Sequence, residues 1–220
     1  MDDVAQWRTA QDRVITLVQD LDAEQAATPV PACPDWSVRD LLSHVVGLGV
    51  DVLAGDEPDD HDPAWTARHV ERRRDRDVAA LLDEWRRTTE PLSAWMDAHG
   101  ARPLGDLVIH EADLRGALGA PPVEDEGVET VRDRMAGRVG PRVAQAGLPA
   151  IALVSPTWEA RLGEGEAAVV LEAPAYDLFR ALVSRRSAAQ LRSWTVRGDV
   201  GPYLEVFTVL GPLPEVDLTV

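Results

Sequence analysis

Apolar residues along the first hundred positions recur with a helical period. Val4, Trp7, Val14, Leu17, Val18 and Leu21 fall three, four or seven residues apart, which predicts an amphipathic helix over residues 3–21. Residues 27–34 hold three prolines and read as a connector. Ser37-Val38-Arg39-Asp40 is a capping-box pattern, so a second helix is expected from Ser37 to about residue 53. An acidic loop covers 55–63. A third helical region spans 64–99 on Val78, Leu81, Leu82, Trp85, Leu92 and Trp95. It is expected to break near 74–77 and to bend or restart at Pro91, with Gly100 as its C-cap. A fourth helix should start near Pro103 and end at Gly119, ahead of Pro121-Pro122. Four helices on short and medium loops predict an up-down-up-down four-helix bundle.

The pattern changes after Pro122. Residues 124–127 read as a linker, and Val128, Val131, Met135, Val139 and Val143 predict one more helix. Short strands are expected at 150–154, 158–162 and 167–172, with a turn at Gly163-Glu164-Gly165. Helices are expected at 177–186 and 188–196. The fold class is therefore mainly α, a bundle over residues 1–122 followed by a small α+β domain over 124–220.

Composition narrows the chemistry. A net charge of −16 repels phosphate backbones and argues against a nucleic-acid partner. The densest basic run, Arg72-Arg73-Arg74 with Arg76, alternates with Glu71, Asp75 and Asp77 and reads as a solvated face or turn. The chain holds no lysine and no asparagine, which excludes Schiff-base chemistry, a Walker-type phosphate loop and N-glycosylation. Cys33 is the only cysteine, so no intrachain disulfide can form. No apolar run is long enough to span a membrane, and the first residues lack a signal-peptide pattern, so the cytoplasm is the expected location.

His44 lies among Leu41, Leu42, Val45 and Val46 on the second predicted helix. Asp106 and His110, four residues apart, leave one face of the fourth, beside Leu107, Ile109 and Leu114. One carboxylate and two imidazoles on two helices are a three-ligand set of the kind that bundles use for metals. The spacing is common, and a histidine on an apolar face is often a satisfied core residue, so both readings stand on the residues alone.

Two segments carry a resemblance. Val30-Pro31-Ala32-Cys33-Pro34-Asp35-Trp36-Ser37-Val38-Arg39-Asp40-Leu41-Leu42-Ser43-His44 resembles a signature of the mycothiol-dependent maleylpyruvate isomerase family, within the wider DinB/YfiT-like metal-binding bundles. Gly105-Asp106-Leu107-Val108-Ile109-His110-Glu111-Ala112-Asp113-Leu114-Arg115 resembles that family's carboxylate-x-x-x-His segment followed by Asp-x-Arg. Residues 176–199 resemble its smaller appended domain more loosely. The resemblance implies a DinB-like bundle and an enzyme with one divalent metal, zinc, on His44, Asp106 and His110. The family's carboxylate is a glutamate, and the shorter aspartate here would bring the metal closer to the fourth helix. It further implies that the open coordination position takes the sulfur of mycothiol, whose thiolate adds to a small electrophile. An isomerase expels the thiol again, turning a cis enone trans, whereas an S-transferase keeps the adduct. A DinB-like metal-dependent hydrolase and a non-catalytic metal-binding protein are the competing classes.

Other residues divide between bland and functional readings. Asp113 is either a surface aspartate or a hydrogen-bond partner of a ligand imidazole. Glu111 and Arg115 read as an ordinary i,i+4 ion pair, and Cys33 as structural. Nothing in the sequence places His69 or His99 near the site, and His61 reads as part of a solvated acidic loop. Trp36, Trp65, Trp85 and Trp95 read as bundle core. Arg185, Arg186 and Arg197 are candidates for holding a carboxylate of thiol or substrate.

Overall fold

The computed structural model describes residues 2–58 and 62–219, and His61 lies outside the described residues. The chain divides into two compact units, one through Gly127 and one from Val128 to Thr219. Among the described residues no helix is long and apolar enough to cross a membrane.

In the first unit, helix α1 (Asp3–Val18) starts where the Asp2 carboxylate accepts from Ala5 N–H. It stops earlier than its hydrophobic pattern suggests. Asp22 and Gln25 form a capping box that opens a new short helix, α2 (Ala23–Ala26). The proline-rich connector is a two-stranded antiparallel hairpin, β1 (Pro29–Val30) with β2 (Cys33–Ser37). Both strands are edges, so prolines that cannot donate to a ladder are tolerated there. The capping box at Ser37 and Asp40 forms and opens α3 (Val38–Ala54), which ends on left-handed Gly55.

Asp62 caps α4 (Pro63–Glu71), and Asp77 caps α5 (Val78–His99). Helix α5 continues through Pro91, which sits on its exposed face. Helix α6 (Arg102–Leu118) ends on Gly119 at φ 65°, where Ala120 N–H reaches back to Arg115 O. Helix α1 packs on α5 and α6, and α3 packs on the same two, so the ring order is α1–α5–α3–α6. Helix α4 lies along α3. The core holds Trp7, Val14, Leu41, Leu42, Leu81, Trp85, Leu104 and Leu107.

Residues 124–127, expected as a linker, lead into a long helix, α7 (Glu126–Gln145), which continues through Gly137, Gly140 and Pro141. The second unit carries a four-stranded sheet in the order β4 (Glu159–Leu162), β3 (Ala150–Val154), β5 (Ala167–Glu172), β6 (Thr195–Arg197). Strand β3 runs antiparallel to β4 but parallel to β5. The turn at Gly163–Gly165 therefore crosses β3 instead of closing a hairpin, and Gly163 takes φ 91° there. Helix α8 (Ala175–Leu182) is shorter than expected and is followed by Ser184 at φ 61°. Helix α9 (Ala188–Ser193) stops at Trp194, where the β-branched Thr195 and Val196 join the sheet edge as β6. A 3-10 helix over Gly201–Phe207 buries Tyr203, Val206 and Phe207.

Candidate metal centre

Helices α3 and α6 pack together and bring three side chains to one point. His44 Nε2 lies 3.3 Å from Asp106 Oδ1, and His110 Nε2 lies 3.4 Å from the same oxygen. The two imidazoles meet edge to face, with ring centroids 5.0 Å apart. His44 is buried, while the Asp106 and His110 side chains keep 21 % and 11 % exposure, so the group sits just beneath the surface.

The outward-facing nitrogens are held from behind. His110 Nδ1 is 3.0 Å from Asp113 Oδ2, and the Cys33 thiol donates to the same oxygen across 3.6 Å. Asp113 is a buried partner of this imidazole. Cys33, His110 and Asp113 form a second convergent set, so the hairpin cysteine borders the centre.

On the other side, His44 Nδ1 lies 3.0 Å from His69 Nδ1, and His69 Nε2 lies 3.1 Å from Asp51 Oδ2. His69 on α4 is thus in direct contact with the site, against the expectation from sequence. Asp51, which merely interrupts an apolar run in the sequence, is buried and also accepts from Arg72. The close approach of α4 requires Gly47, because a Cβ there would lie 2.6 Å from His69 Cβ and Cγ. Trp36 leans on the His44 ring at 5.1 Å, whereas Trp65 and Trp85 are core.

Burial pushes the Asp106 carboxyl up, but the charges of His110 and His44 outweigh it and hold the group well below the carboxylate range. Burial pulls His110 down, yet Asp106 and then Asp113 hold it well above the ordinary histidine value. Burial, followed by the neighbouring His44, pushes His69 down to about 4. A neutral His69 that donates from Nε2 to Asp51 presents a lone pair at Nδ1. With a cation at Asp106, His44 would donate from Nδ1 to His69 and turn its Nε2 lone pair toward the ion. Without a metal the charged His110 donates from Nε2 to Asp106 and from Nδ1 to Asp113, and a cation at Asp106 would replace only the Nε2 proton.

A cation beside Asp106 would take the place of the Nε2 protons and meet two imidazole lone pairs and a carboxylate. Two donors bound tetrahedrally at roughly 2.05 Å lie about 3.3–3.4 Å apart, which is the spacing found here. The donor set therefore fits a divalent ion.

Other residues are engaged elsewhere. Glu111 is buried and gripped by Arg13 at 2.7 and 2.6 Å as well as by Arg115 at 2.9 Å. It is a clamp between α1 and α6 rather than an ordinary surface pair. Arg73, expected on a solvated face, is buried and bonded to Glu84 and to His69 O. His99 stacks on Trp95 at the exposed end of α5. In the second unit, Arg186 is buried on Asp177, and Arg185 bonds Val183 O. Arg197 reaches Ala167 O at the exposed sheet edge.

Comparison with known proteins bears on the fold and the family. Residues 7–111, which contain His44, Asp106 and His110, match the family described as the mycothiol maleylpyruvate isomerase N-terminal domain. No curated protein sequence matches the chain. A crystal structure of the mycothiol-dependent maleylpyruvate isomerase is similar at TM-score 0.59 and 15% identity, covering 83% of this chain and 88% of that one. A histidine-to-alanine mutant of that isomerase is similar at TM-score 0.57, with the same identity and coverage. The segment 7–111 belongs to the mycothiol maleylpyruvate isomerase N-terminal domain family, in a chain that has the fold of the isomerase.

Proposed function

We propose that the protein is a metal-dependent, mycothiol-using enzyme of the maleylpyruvate isomerase type, acting as an isomerase or S-transferase on a small electrophile. His44, Asp106 and His110 hold one divalent ion, zinc. The observation that carries this reading is the pair of Nε2 atoms aimed at one Asp106 oxygen, each imidazole fixed from behind by a hydrogen bond. The family match over the segment that contains the donors supports it further.

Bound at three protein donors, such an ion supplies Lewis acidity that lowers the pKa of a coordinated thiol, so thiolate prevails near neutral pH. The chain contributes the rest. Asp106 supplies the negative charge that the cation needs. Asp113 keeps the His110 proton on Nδ1, away from the donor side. Trp36 covers one side of His44, limiting the freedom of its ring.

Cobalt substitution tests the reading. Adding mycothiol to cobalt-loaded protein should produce a sulfur-to-metal charge-transfer band, and conversion of a cis enone should require both metal and thiol. A spectrum unmoved by saturating mycothiol, with ester or amide hydrolysis proceeding without thiol, would overturn it in favour of a hydrolase.

A further inference from the structure

We infer that His69, oriented by Asp51, is a positioning residue that fixes the tautomer and ring plane of His44. This inference rests on the proposed metal centre, in which His44 Nε2 must be a lone pair. Two imidazole nitrogens 3.0 Å apart share one proton. With His44 binding through Nε2, that proton belongs to His44 Nδ1 and the acceptor is His69 Nδ1. The remaining His69 proton is then on Nε2, where the Asp51 carboxylate 3.1 Å away accepts it. The order is Asp51, His69, His44, each proton pointing away from the donor side.

Three further observations set this chain apart from chance packing. Asp51 is buried, with its carboxylate against His69 and Arg72, in the apolar run of α3. A buried carboxylate is costly unless it is paired and hydrogen-bonded. His69 is buried without measurable exposure, wedged against the Trp65 ring at 4.3 Å, with its carbonyl accepting from Arg73. Gly47, one turn after His44, leaves the space that the His69 ring fills. Helices α3 and α4 are therefore shaped around this contact.

Asp51→Asn gives a direct test. Arg72 Nη1 lies 3.1 and 3.3 Å from the two Asp51 oxygens and holds the amide carbonyl, turning the new NH2 toward His69 Nε2. The His69 proton then moves to Nδ1 and is donated to His44 Nδ1. The His44 proton is forced onto Nε2, where it blocks the metal. Zinc affinity, measured by competition with a chelating dye, should fall about 10–100-fold. In zinc-loaded parent protein, 15N spectra of the imidazoles should show the His69 proton on Nε2 and His69 Nδ1 accepting from His44.

His69→Asn and His69→Leu serve if that variant folds poorly. Asparagine keeps an acceptor for His44 Nδ1 and should retain most of the affinity, while leucine should lose it to the same extent as Asp51→Asn. A packing role alone would make the two substitutions equal and would overturn the inference. So would a zinc-loaded parent spectrum with the His69 proton on Nδ1. A parent protein that takes up no zinc would refute the metal centre instead, whereas zinc uptake with equal affinities in His69→Asn and His69→Leu would refute only the positioning role.

Discussion

Replacing Gly47 with alanine sets two opposed effects against each other. Alanine in a helix interior is favoured over glycine by about 1 kcal/mol. At position 47, however, the added methyl would lie 2.6 Å from His69 Cβ and Cγ and 2.8 Å from Arg73 Nη1. Neither neighbour can yield easily. His69 is held by Asp51, and Arg73 by two bonds to Glu84 at 3.0 and 2.8 Å. Overpacking of this kind costs about 1–3 kcal/mol, and the rigid neighbours put this site at the upper end. The net expectation is a loss of about 2 kcal/mol. Gly105 in α6 is the control, since a Cβ there meets nothing within 4 Å. Gly105→Ala should stabilise by about 1 kcal/mol. Urea unfolding of metal-free protein, followed by tryptophan fluorescence, keeps metal linkage out of the comparison. A Gly47→Ala midpoint at or above that of Gly105→Ala would refute the close approach of α4 to α3.

The remaining expectations are shorter. Glu111→Ala leaves Arg13 and Arg115 without their shared buried acceptor and should cost about 3 kcal/mol by the same assay; an unchanged midpoint would count against the clamp. Elemental analysis should find close to one transition metal per chain, lost in His44→Ala and in His110→Ala but kept in His61→Ala; a double His44/His110 variant still loaded would defeat the assignment. Limited digestion with a nonspecific protease should cut first within 120–125 or 55–62, and early cuts inside α3 or α6 would contradict the bundle.

What could be read from sequence was local. Ser37 with Asp40, and Gly119 ahead of a proline pair, mark helix ends because capping involves residues only a few positions apart. Asp106 and His110 share a face by the same short-range rule. Two proline-bearing segments were harder. The β1–β2 hairpin hides in a connector because its strands are edges. Pro91 lies on the exposed face of α5, which continues through it where a bend or restart was expected. Strand β6 follows α9 so closely that one helical pattern covers both. The supports behind His44 were the least legible, since Asp51 and His69 lie 18 residues apart on different helices. A usable signal did exist. Asp51 is a lone carboxylate in an otherwise apolar run, and a charge in that position needs a nearby partner.

The ring order also sets a sequence of events during synthesis. Helix α1 leaves the ribosome before both helices that cover it, which come much later, as the Arg8–Glu90 and Arg13–Glu111 pairs show. Helices α3, α4 and α5 are consecutive and pack on one another, so they can assemble through near-neighbour contacts while α1 waits. About 100 further residues must be made before α6 is complete, which at roughly 5–20 residues per second takes about 5–20 s. During that interval the apolar stripe of Trp7, Val14 and Val18 has no lasting cover. Nascent chains stalled before residue 102 should accordingly bind holding chaperones through α1, and chains extended past 118 should release them.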